Sequence, residues 1–501
     1  MIAVSADVQA RVSALPQRAA AGLVFVAIAL VLLAETIAKS DRPSVAAVWG
    51  GLALAAYAVG LMCLVGPSQR VDLGLARWMI GPWTLLWYGV VFGIATLTWS
   101  QPQTGIAGEI AVSSVLRALW LVAVGVTAWA LGYCVGPGQW SRRLAVRGMG
   151  ALGRRFAAEV RSPAAPWVLY AIGIVTLLTN AVTTNRFGYA GDASSEVSTA
   201  SGYAGILGAL NFCAPLAVAV AAVQVFCERR VAARITLVVL SMAQFALGVM
   251  LGNKESYIVT VLAVVIPFCA SRRRLPKASL IVILVVFLLV VIPFNQAYRS
   301  AARQGSATLT AGQAVAAAPE ILWQTVTGQG VVAGLTDSID YLAQRICEID
   351  GPAIVVQRTP GQFKFQSPLQ LLEGPIAGMV PRAIWPGKPI AVPGYLFSQE
   401  FYGLPPTLYT STFATIIGGL YWDGGWIPVI VCMFLVGSLV RLLDDVIDVR
   451  ANPHGILLML LLFPSLVRAE YDWQTIIADL PASIFVWLLA VVLTFRTRQQ
   501  A

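Results

Sequence analysis

Arg345 and Glu348 stand three residues apart in YLAQRICE, a spacing that puts both side chains on one face of a helix. Arg382, Trp385 and Lys388 share the stretch PRAIWPGKP, whose three prolines stiffen the backbone. Guanidinium forks match phosphate oxygens, and an ammonium adds a point charge. An aromatic ring can lie on a sugar face. Two arginines on a diphosphate would stabilise its charge as it leaves, and a nearby carboxylate could take a proton from an attacking hydroxyl. This inventory suits an anionic ligand with sugar or lipid character. A plain structural turn whose cations meet lipid phosphates accounts equally well for 381–389. An ion pair that only orients Arg345 accounts equally well for Glu348.

Other chemistries find no residues here. There is no GxxxxGK[ST] for a P-loop, and no GxSxG or HExxH. Seven cysteines are present, but no CxxC and no Cys/His cluster, so no metal and no cofactor is expected. His454 is the only histidine.

The elements that must position these groups are membrane helices. Hydrophobic residues make up 58% and charged residues 12%, against roughly 25% charge in a soluble domain. Such a chain cannot hide its apolar surface in water, which excludes soluble domains and intrinsic disorder. The apolar runs lack the alternation of a membrane barrel. An all-α polytopic membrane protein of about twelve transmembrane helices is expected. The spans lie near 21–38, 45–65, 79–98, 114–135, 166–184, 203–226, 235–251, 256–270, 279–295, 426–441, 455–467 and 480–496. No small-residue cleavage site follows the first run, so it reads as an uncleaved anchor.

Basic residues alternate between the loops. One set holds Arg142, Arg143, Arg147, Arg154, Arg155, Arg229, Arg230, Arg234, Arg272, Arg273, Arg274 and Lys277; the other short loops hold few. Basic loops stay in the cytoplasm, which puts both termini inside. The net charge of +10 is thereby explained without nucleic acid. Segment 141–160 reads as an interfacial helix on anionic lipid or simply as a retention signal.

Residues 1–295 carry spans one to nine, 296–425 form a long extracytoplasmic segment, and 426–501 carry the last three spans. Loops of this length with their own structure are usually functional. Within it, 331–348 reads as an amphipathic helix, FKF at 363–365 as a strand-like piece and 369–380 as a second helix. Several charges fall near the outer span ends: Glu35, Arg117, Lys254, Glu255, Arg299, Arg303, Arg468, Glu470, Asp472 and Asp479. Charges in spans are costly and mark function by default, though side chains near helix ends can snorkel. No span carries one near its middle, which counts against an ion-driven exporter.

YLAQRICEID, LQLLEGPIAGMVPRAIWPGKP and TFATIIGGLYWDGGWIPVIVCMFLVG resemble the outer loop and following span of Wzy-type oligosaccharide repeat-unit polymerases. Arg345, Arg382, Trp385, Pro386, Lys388 and Pro389 match the family's pattern. LGNKESY at 251–257 is similar to its small-residue-plus-basic turn, with Lys254 where an arginine is more usual. The resemblance covers about 150–180 residues. It implies a GT-C-like bundle in the bacterial cytoplasmic membrane, its outer loop capping a lipid-facing cavity. It also implies joining of undecaprenyl-diphosphate-linked oligosaccharide units into O-antigen, capsule or exopolysaccharide, with a chain-length co-polymerase as a possible partner. On this reading Arg345 and Arg382 hold the diphosphate, helped by Lys388, Arg299 and Lys254. Trp385 packs on sugar or isoprenoid, and Glu348 is the first candidate base, with Glu373, Asp340 and Asp423 as rivals. Two other readings stand beside it: a flippase for lipid-linked oligosaccharide, and another glycosyltransferase using a polyprenyl-phosphate sugar.

Overall fold

The computed structural model describes residues 6–39, 43–66, 75–103, 105–184, 186–187, 190–191, 204–252, 254–303, 311–328, 331–367, 369–380, 384–385, 393–405, 412, 414–450 and 452–497. Among them, eleven helices are long and apolar enough to cross a membrane: Ala19–Ala38, Ser44–Val65, Ile80–Ser100, Val112–Val135, Ala165–Thr183, Ile206–Phe226, Ala233–Leu251, Lys254–Arg272, Lys277–Arg299, Trp426–Val446 and Trp473–Thr494. The remaining expected span, 455–467, is present as a shorter apolar helix of 15 residues, Pro453–Val467. At about 1.5 Å per residue it falls short of a ~30 Å hydrocarbon core. It needs no lipid of its own, because His454 to Phe463 are all buried by the surrounding helices.

Close crossings use glycine. A Cβ on Gly132 would strike the Phe434 carbonyl, and one on Gly437 would strike that of Trp129. Helices Val112–Val135 and Trp426–Val446 therefore meet backbone to backbone, as small residues permit in membranes. Asp444, near the end of Trp426–Val446, ties down a third helix. Its carboxylate accepts from the Ile80 and Gly81 amides at 2.7 and 2.9 Å and from the Tyr133 hydroxyl at 2.9 Å. The two amides begin helix Ile80–Tyr88, whose first N–H groups have no partner within the helix.

The expected interfacial helix is shorter than 141–160. It runs Gln139–Arg155 and gives way to a strand, Phe156–Val160, paired antiparallel with Phe495–Thr497. Phe156 and Val160 are buried, and tertiary packing overrides the helical pattern there. His454 sits beside this pair, its Nε2 3.1 Å from the Ala157 carbonyl and its ring edge-on to Phe495. Its role in the fold is structural.

The described residues between the ninth and tenth long spans are mostly helical. The helices include Ala311–Gly328, Val331–Ile346, Asp350–Arg358, Gln370–Met379, Pro393–Tyr402 and Thr415–Gly424. The two helices expected at 331–348 and 369–380 are thus present. FKF is not a strand: 364–367 carry no regular structure, and the Gln366 amide donates to the Trp422 carbonyl at 3.0 Å.

Candidate functional site

Four cations and three carboxylates from distant parts of the chain meet at one end of the bundle. Arg345 ends helix Val331–Ile346, a position that complements the helix dipole. Its Nη1 lies 3.8 Å from Glu348 Oε1 and 3.9 Å from Glu470 Oε1. Glu470 comes from the turn before helix Trp473–Thr494. Lys254 begins helix Lys254–Arg272 and lies within electrostatic reach of Arg299, Arg345 and Glu470. Its ammonium donates to the Tyr341 hydroxyl at 3.3 Å and sits 4.3 Å from that ring's centre. Gly252 makes the preceding turn with a left-handed φ of 62°, which a side chain would strain. Arg468 adds a contact to Glu255 at 3.4 Å and donates to the Tyr471 hydroxyl at 2.9 Å.

A backbone irregularity places Glu348. Helix Ile80–Tyr88 continues as a π turn, Gly89–Gly93, and then as a 3-10 helix, Ile94–Ser100. Tightening from i+5 to i+3 bonding leaves carbonyls without partners, and such turns recur at functional sites. The Thr96 hydroxyl takes the Gly93 carbonyl at 2.6 Å. The Val91 carbonyl accepts the Glu348 amide at 3.1 Å.

Glu348 is mostly buried, with 11% of its side chain exposed against 54% for Arg345. Burial raises the Glu348 pKa well above the carboxylate range, and the neighbouring Glu470 raises it further while Arg345 opposes. Asp350, two residues on, is pushed up to about 6 by burial, although the Trp99 indole donates to it at 3.1 Å. Asp423 is pushed up to about 7 by burial and then by Asp472. Asp472 caps helix Trp473–Thr494 by accepting the Thr475 amide at 2.7 Å, and its other oxygen is buried without a hydrogen bond among the described residues.

Of the expected site residues, Lys254, Arg299, Arg345 and Glu348 come together. Arg382 and Lys388 lie outside the described residues, as does the Arg303 side chain. Trp385 is exposed and makes no ring contact or hydrogen bond with the cluster. Among the rival bases, Asp340 and Glu373 are exposed, and Asp423 is buried beside Asp472 rather than Arg345. Glu35 is exposed on the first span and Arg117 on the fourth, so neither belongs to the cluster.

Glu470's part as the second carboxylate on Arg345, and the place of Tyr341, were not readable from spacing. Asn295 was missed as well. It lies one turn before Arg299, is fully buried, and neither its side-chain oxygen nor its nitrogen has a hydrogen-bond partner among the described residues. Tyr257, one turn after Lys254, is likewise buried, its hydroxyl without a partner among the described residues. An asparagine inside the apolar run VVIPFNQAY was the available signal. Buried polar groups without partners are rare in native structures and call for an explanation.

Residues 183–449, just over half of the chain, match the family described as Domain of unknown function (DUF8712). The chain belongs to this family. The DUF8712 region contains Lys254, Arg299, Arg345 and Glu348, whereas Arg468 and Glu470 lie beyond it. No curated protein and no solved structure matches the chain.

Proposed function

We propose that the chain is a polysaccharide polymerase that joins undecaprenyl-diphosphate-linked oligosaccharide repeat units at the outer face of the cytoplasmic membrane. The observation that carries this reading is the meeting of Lys254, Arg299 and Arg345 near Glu470, with Arg345 also against the buried Glu348. Like charges repel, so three cations at one place suit an anion of more than one charge. A diphosphate has that charge and offers oxygens to each guanidinium.

In the scheme, a hydroxyl oxygen of the incoming unit attacks the anomeric carbon of the growing chain. The bond from that carbon to the diphosphate breaks, and undecaprenyl diphosphate leaves with its electron pair. Lys254, Arg299 and Arg345 stabilise the leaving charge, with Arg382 and Lys388 of PRAIWPGKP as further donors. Trp385 packs on sugar or isoprenoid. The hydroxyl proton passes to Glu348, whose proton affinity is raised by burial and by the neighbouring Glu470, as a general base requires. The bundle is GT-C-like on this proposal, with segment 296–425 outside and capping a lipid-facing cavity. A co-polymerase would set chain length.

The test is reconstitution of the purified protein with its native undecaprenyl-diphosphate repeat unit. A ladder of longer glycans and free undecaprenyl diphosphate, both lost in Arg345→Ala and Arg382→Ala, is the expected result. No ladder from folded protein with competent substrate would shift the reading to transport of the lipid-linked oligosaccharide or to a different donor lipid.

A further inference from the structure

At the bundle end opposite Arg345, helices Lys254–Arg272 and Lys277–Arg299 are joined by a short turn. A cavity of about 630 Å³ opens there, lined among the described residues by Ala76, Phe268 and the run from Arg273 to Ser279. Arg273, Arg274 and Lys277 are exposed, and their side chains have no ion pair or hydrogen bond among the described residues. Ala278 and Ser279 belong to the first turn of the ten-residue helix Lys277–Val286. First-turn amides lack intrahelical partners, and the helix dipole favours an anion at that end. Cations and a helix start thus line one hollow.

We propose that this hollow is a headgroup site for an anionic phospholipid, independent of the polymerase reading. Charge complementarity selects a phosphate. The apolar surface beside it selects a lipid: Phe268 and Leu275 line the hollow, and Ile281, Val282 and Leu284 continue from it along the same helix with half or more of their surface exposed. A phosphodiester seated between Arg274 and Lys277 would leave its acyl chains on that face. Basic hollows between membrane helices bind anionic headgroups by this combination.

The test uses the full chain in neutral detergent, with bound lipid read by native mass spectrometry. Phosphatidylglycerol is expected to bind about tenfold or more tightly than phosphatidylcholine, as three nearby cations imply. The variant R273Q/R274Q/K277Q is expected to lose that preference. The variant R147Q/R154Q/R229Q, which removes as many exposed charges at the same end, is expected to keep it. Photoactivatable phosphatidylglycerol on the unaltered protein should label the peptide around 268–282, which tests the site without any substitution. Equal binding of the two lipids, labelling elsewhere, or full competition by soluble glycerol phosphate would each overturn the proposal.

Discussion

Glu348 and Glu470 share one guanidinium nitrogen: Arg345 Nη1 is 3.8 Å from the first and 3.9 Å from the second. A second negative charge beside the same guanidinium disfavours ionisation of the buried Glu348. Burial and Glu470 raise the folded-state pKa of Glu348 above its unfolded value. Its contribution to stability is therefore full at low pH and is lost as pH rises through the raised value. Glu348→Gln should match the parent near pH 4 and unfold at a higher temperature near pH 8. Thermal scans at both values check this, and an unchanged gap would contradict it. Activity should fall in the same variant.

Asp423 allows the same linkage with a defined window. Its folded pKa of about 7 lies above the ordinary aspartate value because of burial and Asp472. The stability that it contributes is present below about pH 4 and lost as pH rises through about 7. Asp423→Asn is expected to gain thermal stability over the parent above pH 7 and none at pH 4. Melting curves across that range decide it.

Asn295 separates stability from function. Its buried amide has no partner among the described residues, so Asn295→Leu removes an unsatisfied group. The variant should be as stable as the parent or more so by about 1–2 kcal/mol. Should the amide hold a ligand oxygen, glycan ladder formation would drop about tenfold or more at the same time. A variant with full activity would remove Asn295 from the site.

Asp444→Ala strips two helix-start amides and the Tyr133 hydroxyl of their acceptor. A loss of about 2–3 kcal/mol is expected, read as a lower melting temperature in detergent. Tyr133→Phe should cost less, since the two amides keep their partner.

The proposed sidedness rests on the charge alternation and is open to labelling. Single cysteines at Glu373 and Arg143, both exposed, should react with an impermeant maleimide from opposite sides of the membrane in a background without native cysteines. Glu373→Cys should label from outside intact cells, and Arg143→Cys only after permeabilisation. Labelling of both from one side would refute the proposed topology.

The sequence by itself determined the class of protein and most span edges, because hydropathy over some twenty residues is a local property. It also determined the helices holding Arg345 and Gln370–Met379, whose apolar spacing is visible in one window. Only the tertiary structure decided that the short helix Pro453–Val467 is buried, since burial by neighbours cannot be read from one segment. It alone turned Phe156–Val160 into a strand by supplying Phe495–Thr497 as a partner. It alone set Glu470 against Glu348 and Arg345, and fixed the Glu348 backbone to the Val91 carbonyl at a π turn. These last relationships join segments more than a hundred residues apart, and such distances are closed by packing rather than by any local pattern.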